Sequence, residues 1–328
     1  MSNTESKVNT ESEAVSDAVK AKIVTADDNA TTDAKVSTTD ANDDGNAIEY
    51  DTLKYDVIPA KDLHVSKVGG WLESRFHFRF AGWRPRDKKR HGFGALHVMN
   101  DDLVQPGSGF GFHPHKDQEI FSYILNGYLT HKDSEGNSET LGRGAVQYMS
   151  AGSGVWHSEY NNDKKEVCRF LQIWIYPNAR DLDMQYGSLK IDKKERHNKL
   201  MPLLSGTTTD NDKKACISLS QDVNIFVGEL DYGKSVKYTL KRHRNIYLVC
   251  AEGTCDINGG KPSLKTRDAV RIYGKSTGEF NIEIKATYKA TNNDVEGYPS
   301  CHFLMIEMDN KNTNWHRTQA SMPYKKKN

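Results

Sequence analysis

Residues 112–119 read FHPHKDQE and residues 156–161 read WHSEYN, placing a His-x-His pair and a His-x-Glu pair in one stretch of chain. Successive side chains on a β-strand point to opposite faces, so residues two apart share a face. On a strand, His113 and His115 therefore point the same way and Pro114 points away. Pro114 cannot donate to a ladder, which places it at a strand start or a sheet edge. His157 and Glu159 share a face by the same rule. Three imidazoles and one carboxylate suit a divalent first-row metal such as iron, manganese, nickel or copper. Four protein ligands would leave one or two octahedral positions for water, dioxygen or substrate. The plain alternative is a set of hydrogen-bonded polar residues on a half-buried sheet, and for any single His-x-His it is the better reading. The glycines shift the balance: Gly107, Gly109 and Gly111 precede the first pair, and Gly152 and Gly154 the second. Glycine serves tight turns and close backbone approach, so both pairs follow sharp bends.

The elements that must position these residues read as strands. HGFGALHVMN (91–100), EIFSYILNGYLTHKD (119–133), GAVQYMSAG (144–152) and EVCRFLQIWIYP (166–177) are short apolar or alternating runs rich in Tyr, Phe, Ile and Val. SEGNS (134–138) predicts a hairpin turn, since Gly136 and Asn137 both tolerate positive φ. After Pro177 comes a charged, helix-compatible piece, DKKERHNKLMPLL, and then the polar SGTTTDNDKK, which together read as a linker. A second strand series follows. Its NIYLVCAEGTCDING can be laid beside EIFSYILNGYLTHKD, with Gly253 matching Gly127. Two strand-rich units in tandem predict two small barrels or sandwiches, because closing a sheet removes exposed edges.

Composition sets the bounds. Residues 1–50 contain eleven Asp/Glu and four Lys, a net of −7 against a whole-chain +1, so residues 51–328 carry +8. That first segment lacks aromatics before Tyr50 and is expected to be a disordered acidic tail. SMPYKKKN at the other end reads as a solvated basic tail, ahead of nucleic-acid contact. Cys168, Cys216, Cys250, Cys255 and Cys301 show no C-x-x-C pair, so reduced thiols are expected, with neither a disulfide framework nor a thiolate zinc site. With no apolar run long enough for a bilayer and no secretory signal, the expectation is a cytoplasmic protein without a membrane partner, nuclear being the alternative in a eukaryote.

The motif G-(x5)-H-x-H-(x3)-E is satisfied by Gly107, His113, His115 and Glu119, and H-(x3)-N by His157 and Asn161. These resemble the two-part metal signature of the cupin superfamily. The strings GGW, GFG, NDD, GFGFHPHKDQEI, SYILNGYLTHKDSEGN, VQYMSAGSGVWHSEYN and LQIWIYP resemble the pirin family more closely still. The resemblance covers residues 52–200 strongly and 215–310 as an expected second barrel. It implies an all-β bicupin of two tandem jelly-roll-like barrels joined by a short helical linker. The expected boundaries are a tail at 1–50, a metal-bearing barrel at 51–177, a linker at 178–214, a second barrel at 215–310 and a basic tail at 311–328.

Carried over residue by residue, the resemblance implies metal ligands at His113, His115, His157 and Glu159. Glu119 is left as a residue supporting that set: it lies four beyond His115, about 13 Å along a strand. In the second series SVKYTLKRHRN has Tyr238 and Leu240 near where histidines would fall, and His243 and His302 stand alone. One metal site per chain is therefore expected, with iron(II) first and manganese, nickel, copper or zinc as alternatives. His97, His131 and the basic loop Arg84, Arg86, Lys88, Lys89 and Arg90 read as packing or surface residues. Met149, Phe93, Phe112 and Trp156 read equally as pocket wall or core.

Bacterial members of the family open flavonols such as quercetin with dioxygen. The resemblance therefore implies a small aromatic substrate chelated at the metal, with Glu159 as both ligand and the base that takes the 3-hydroxyl proton. Eukaryotic members act as iron-containing partners of transcription factors, which is the alternative reading. A third is a bicupin whose metal is purely structural.

Overall fold

The computed structural model describes residues 53–206, 217–289 and 299–310. The acidic tail, the basic tail and most of SGTTTDNDKK lie outside the described residues. Two layers of antiparallel strand build the first domain. One sheet contains β2 (His64–Val68), β3 (Leu72–Phe76), β4 (Leu96–Val104), β6 (Glu119–Asn126), β9 (Val146–Ser150), β11 (Cys168–Ile175) and β12 (Gln185–Leu189), in the order β12-β9-β6-β11-β4-β3-β2. The other contains β5 (Ser108–His115), β7 (Tyr128–Asp133), β8 (Ser138–Gly142) and β10 (Val155–Asn161), in the order β5-β10-β7-β8. The central strands β6 and β11 are buried almost throughout, as their near-continuous apolar runs require.

The second domain is a ten-stranded sheet that folds over itself. Its main path joins β1 (Lys54–Ile58), β19 (Ala269–Tyr273), β17 (Arg244–Ile257), β21 (Cys301–Asp309), β15 (Val223–Leu230), β13 (Met201–Gly206) and β14 (Ile217–Leu219). The strands β16 (Ser235–Leu240), β18 (Ser263–Lys265) and β20 (Phe280–Ala286) branch from it. β17 serves both layers: residues 245–249 pair with β19, and residues 254–257 pair with β18 and β20. The turn-over lies between, at a bulge after Cys250. Strands that change sheets do so at such bulges.

The fold is thus the expected pair of tandem cupin-type β domains, with one correction: neither domain closes into a continuous ring of paired strands. Other differences concern boundaries. β1 lies at the start of the segment assigned to the first domain, yet it pairs with β19 of the second. The helix-compatible stretch has one helical turn, α1 (Lys193–Arg196), and its last residues, from Met201, belong to β13. The tertiary partner β15 overrides helix propensity there. Among the described residues no helix is long and apolar enough to cross a membrane.

The repeat seen in sequence is real at its hinge glycines. Gly127 and Gly253 have φ of +69° and +73°. A Cβ would stand 2.8 Å from Val167 O at the first and 2.0 Å from Ser300 O at the second, so both positions require glycine. At SEGNS, Gly136 takes the positive φ and Asn137 does not. Asp133 Oδ1 accepts from the Glu135 and Asn137 amides and closes that turn.

One core runs through both domains, with Phe78, Leu96, Tyr123 and Tyr148 of the first packed in a cluster with Val227, Tyr247 and Leu304 of the second. Buried polar contacts cross the same boundary. Asp101 accepts from Arg169 and from Arg267. Arg143 donates to Glu252, and His302 lies between Glu252 and Tyr123 Oη at 2.9 Å from each.

Candidate metal centre

β5 and β10 run antiparallel, with His157 opposite His113 and Val155 opposite His115. Alternation turns His113 and His115 to the same side, and Pro114 lies between them opposite Trp156. The register then slips. Glu159 sits opposite Phe110, so β5 has an extra residue at Gly111–Phe112. This bulge bends β5, and Gly111 O lies 2.7 Å from His113 Nδ1. The contact fixes that nitrogen and leaves Nε2 as the inward one.

The three imidazoles converge, one nitrogen from each lying within 4.8 Å of the others. Ring centroids are separated by 4.5 to 4.8 Å, and His157 Nε2 lies 3.1 Å from His113 Nε2. Burial holds His115 down at about 4, with the neighbouring His113 adding to the effect. Burial holds His157 down at about 2, with His115, His113 and His131 adding to it. Both rings are therefore neutral at physiological pH, the form in which imidazole binds metal. His115 Nε2 is buried without a hydrogen-bond partner. Buried polar atoms of this kind call for an explanation, and a bound ion is one. The donor set fits a divalent transition metal.

The structure does not bring the Glu159 carboxylate into this set. Glu159 faces inward like His157, but it is one strand step further, about 6.6 Å on. It accepts from Ser122 Oγ on β6 at 2.7 Å and from Gln172 Nε2 on β11 at 2.6 Å. Glu119 is also corrected. Its carboxylate faces the second domain, accepting from Tyr148 Oη and from the backbone amides of Ser220 and Gln221. It is a domain latch rather than a support for the histidines. Asn161 likewise braces a loop, donating to the carbonyls of Val104 and Glu166.

Spacing missed two neighbours. His131 is buried beside His157, with ring centroids 5.4 Å apart, stacks on Tyr186 and lies 3.2 Å from Asp133 Oδ2. Its i,i+2 relation to Asp133 in LTHKD was the available signal. Trp174 packs edge-on against His115 at 4.7 Å. Of the apolar candidates, Met149 packs with Val155 and Trp174 beside the site. Phe112 and Trp156 instead point outward and are more than half exposed, and Phe93 packs against Tyr247 and Tyr273.

Tandem β domains with a histidine cluster on paired strands of the first define a two-domain protein of the cupin type. The family model described as Pirin matches residues 61–175, and that described as the quercetinase C-terminal cupin domain matches residues 207–291. The chain belongs to the pirin family. It is 36% identical over 204 residues to the quercetin 2,3-dioxygenase of Escherichia coli K12, covering 62% of this chain and 84% of that protein. To a pirin-like protein of Caulobacter vibrioides it is 38% identical over 203 residues, with the same coverage of 62% and 84%. The crystal structure of a bacterial pirin from E. coli in complex with nickel(II) superposes with a TM-score of 0.66 at 28% identity, covering 78% of this chain and 99% of that one.

Proposed function

We propose that the chain is a metal-dependent dioxygenase acting on flavonol-type substrates. The observation that carries the reading is the convergence of His113, His115 and His157 as inward-facing imidazoles in a protein similar to quercetin 2,3-dioxygenases. These three residues would hold one divalent ion, iron(II) being the first candidate, with nickel raised by the related pirin. Glu159 would complete the set by giving up one of its two present donors. When bound, the ion supplies Lewis-acid chemistry that lowers the pKa of a coordinated hydroxyl and brings dioxygen next to the substrate.

The protein's own residues do the rest. His113 and His115 are only half-buried, so the site is open on their side, while His157 and Glu159 are buried behind it. Substrate therefore meets the histidines from the β5 side. Ser122 and Gln172 orient the Glu159 carboxylate by donating to it. That carboxylate is the acceptor for the proton of the substrate's 3-hydroxyl. Trp174, partly exposed beside His115, offers apolar surface to an aromatic ring, and the buried Met149 packs in the cluster that supports it.

The test is anaerobic incubation of metal-loaded protein with quercetin, followed by admission of air. Loss of the flavonol absorbance together with carbon monoxide release is expected. Absence of turnover with iron, manganese, nickel, copper and zinc alike would overturn the reading.

A further inference from the structure

The second domain contains a cluster that the histidine centre does not use. The Sγ atoms of Cys250, Cys255 and Cys301 all lie within 4.8 Å of one another. All three are free thiols at 0% exposure. Spacing alone hides the cluster, because Cys250 and Cys255 are five residues apart and would face opposite ways on a regular strand. The bulge in β17 reverses that. Cys250 lies opposite Phe303, then Glu252 opposite His302 and Gly253 opposite Cys301, which makes Ala251 the extra residue. After it the parity is switched, so Cys255 shares a face with Cys250, and Cys301 shares that face across the ladder.

The surroundings are apolar. Cys255 is paired with Leu264 on one side and Ala286 on the other, and Cys301 with Leu230. The three sulfurs belong to a core cluster with Val236, Ile284 and Phe303. Arg267, whose amide donates to the Cys250 carbonyl, sends its guanidinium to Asp101 instead. The acidic residues nearest in the chain and the ladder are Glu252, whose carbonyl faces Cys250 Sγ while its carboxylate is held by Arg143 and His302, Asp256, beside Cys255, and Asp268, whose carbonyl accepts from the Cys250 amide.

We propose that Cys250, Cys255 and Cys301 form a three-sulfur site for a soft, three-coordinate ion of the arsenous class, held as an uncharged trithiolate. A pyramidal ion with sulfur bonds of about 2.3 Å needs its sulfurs about 3.5 Å apart, a separation that sulfurs within 4.8 Å of one another can reach by small side-chain adjustments. Charge selects the class of ion. Zinc prefers four ligands and would leave a net −1 with these three thiolates, and a cuprous ion would leave −2. An apolar core with carboxylates at its edge disfavours either. Arsenous acid adds no charge: three As–OH and three S–H bonds break, three As–S bonds form and three waters leave. Arsenic remains trivalent, so no oxidant or reductant is needed.

The test is to equilibrate the reduced full-length chain with sodium arsenite for hours, since buried sulfurs load only as the core opens locally. Bound arsenic, thiols remaining after denaturation and the arsenic X-ray absorption edge are then read. One arsenic per chain, two reactive thiols left of five and three sulfur neighbours are expected. Cys255→Ala should weaken binding at least tenfold, while Cys168→Ala and Cys216→Ala should leave the stoichiometry unchanged. No bound arsenic, fewer than three sulfur neighbours, or dependence on Cys168 or Cys216 would overturn the proposal. So would zinc displacing arsenic at equal concentration. Should Cys255→Ala fail to fold, thiol counting and the absorption edge of the unaltered protein still decide.

Discussion

His157 and His113 face each other across the β5–β10 ladder with their Nε2 atoms 3.1 Å apart. Two imidazole nitrogens at that distance have room for one proton between them, and a third ring, His115, presents a buried nitrogen without a partner beside them. An ion that all three can ligate satisfies every one of these nitrogens. Stripping metal with a chelator should therefore lower the melting temperature. Restoring it at one hundred times its dissociation constant should return about 2.7 kcal/mol. His157→Ala should abolish metal retention and make the melting temperature indifferent to chelator.

The two glutamates should separate cleanly. Glu119→Ala leaves the amides of Ser220 and Gln221 without their acceptor at the domain boundary. A loss of about 2–4 kcal/mol in denaturant unfolding is expected, with metal content unchanged. Glu159→Gln should leave stability within about 1 kcal/mol yet reduce flavonol turnover at least tenfold. The reverse pattern would contradict the assignment of both residues.

Acid should weaken the His77–Tyr247 contact between the domains. Burial against Tyr247 holds His77 down at about 3, so the unfolded chain takes up a proton at the usual histidine pKa while the folded chain does not. Stability from this group is full above about 6.5 and is lost as pH falls from there towards 3. Glu252, held down at about 2 by His302 and Arg143 against the opposing effect of burial, loses its contribution between about 4.5 and 2. Asp102 works in the opposite sense. Burial pushes its carboxyl up to about 8, so it disfavours folding progressively as pH rises from about 4 to 8. Between pH 7 and pH 4.5 the His77 loss and the Asp102 gain oppose each other, so His77→Gln should shift the denaturant midpoint at pH 4.5 upward relative to that at pH 7, and Asp102→Asn should shift it downward. Asp102→Asn should raise stability at pH 7, on the order of 1–3 kcal/mol.

Gly253→Ala should be among the most damaging small substitutions. Its Cβ would strike Ser300 O from a backbone at φ +73°. A loss of about 3 kcal/mol or more is expected in equilibrium unfolding. Gly233→Ala is the control: its φ is also positive at +76°, but a Cβ there meets nothing within 4 Å. It should cost only about 1 kcal/mol, the strain of the left-handed backbone alone.

Residue order by itself determined what is local or strictly periodic. The two-residue period of a strand put His113 with His115, and turn chemistry marked SEGNS and the hinge glycines Gly127 and Gly253. The quoted strings carried the likeness to pirins and with it the tandem β domains. Tertiary structure decided what depends on a break in the period or on a distant partner. Glu159 shares a face with His157 as the period predicts, but the fold sets Ser122 on β6 and Gln172 on β11 against its carboxylate as donors, and no spacing shows that. Pairing with β15 made a strand of a helix-compatible segment, and pairing with β19 sent β1 into the second domain. The bulge at Ala251 gathered three cysteines whose spacing shows nothing. One extra residue inverts every side chain beyond it, and that inversion is set by the partner strand rather than by the strand's own residues.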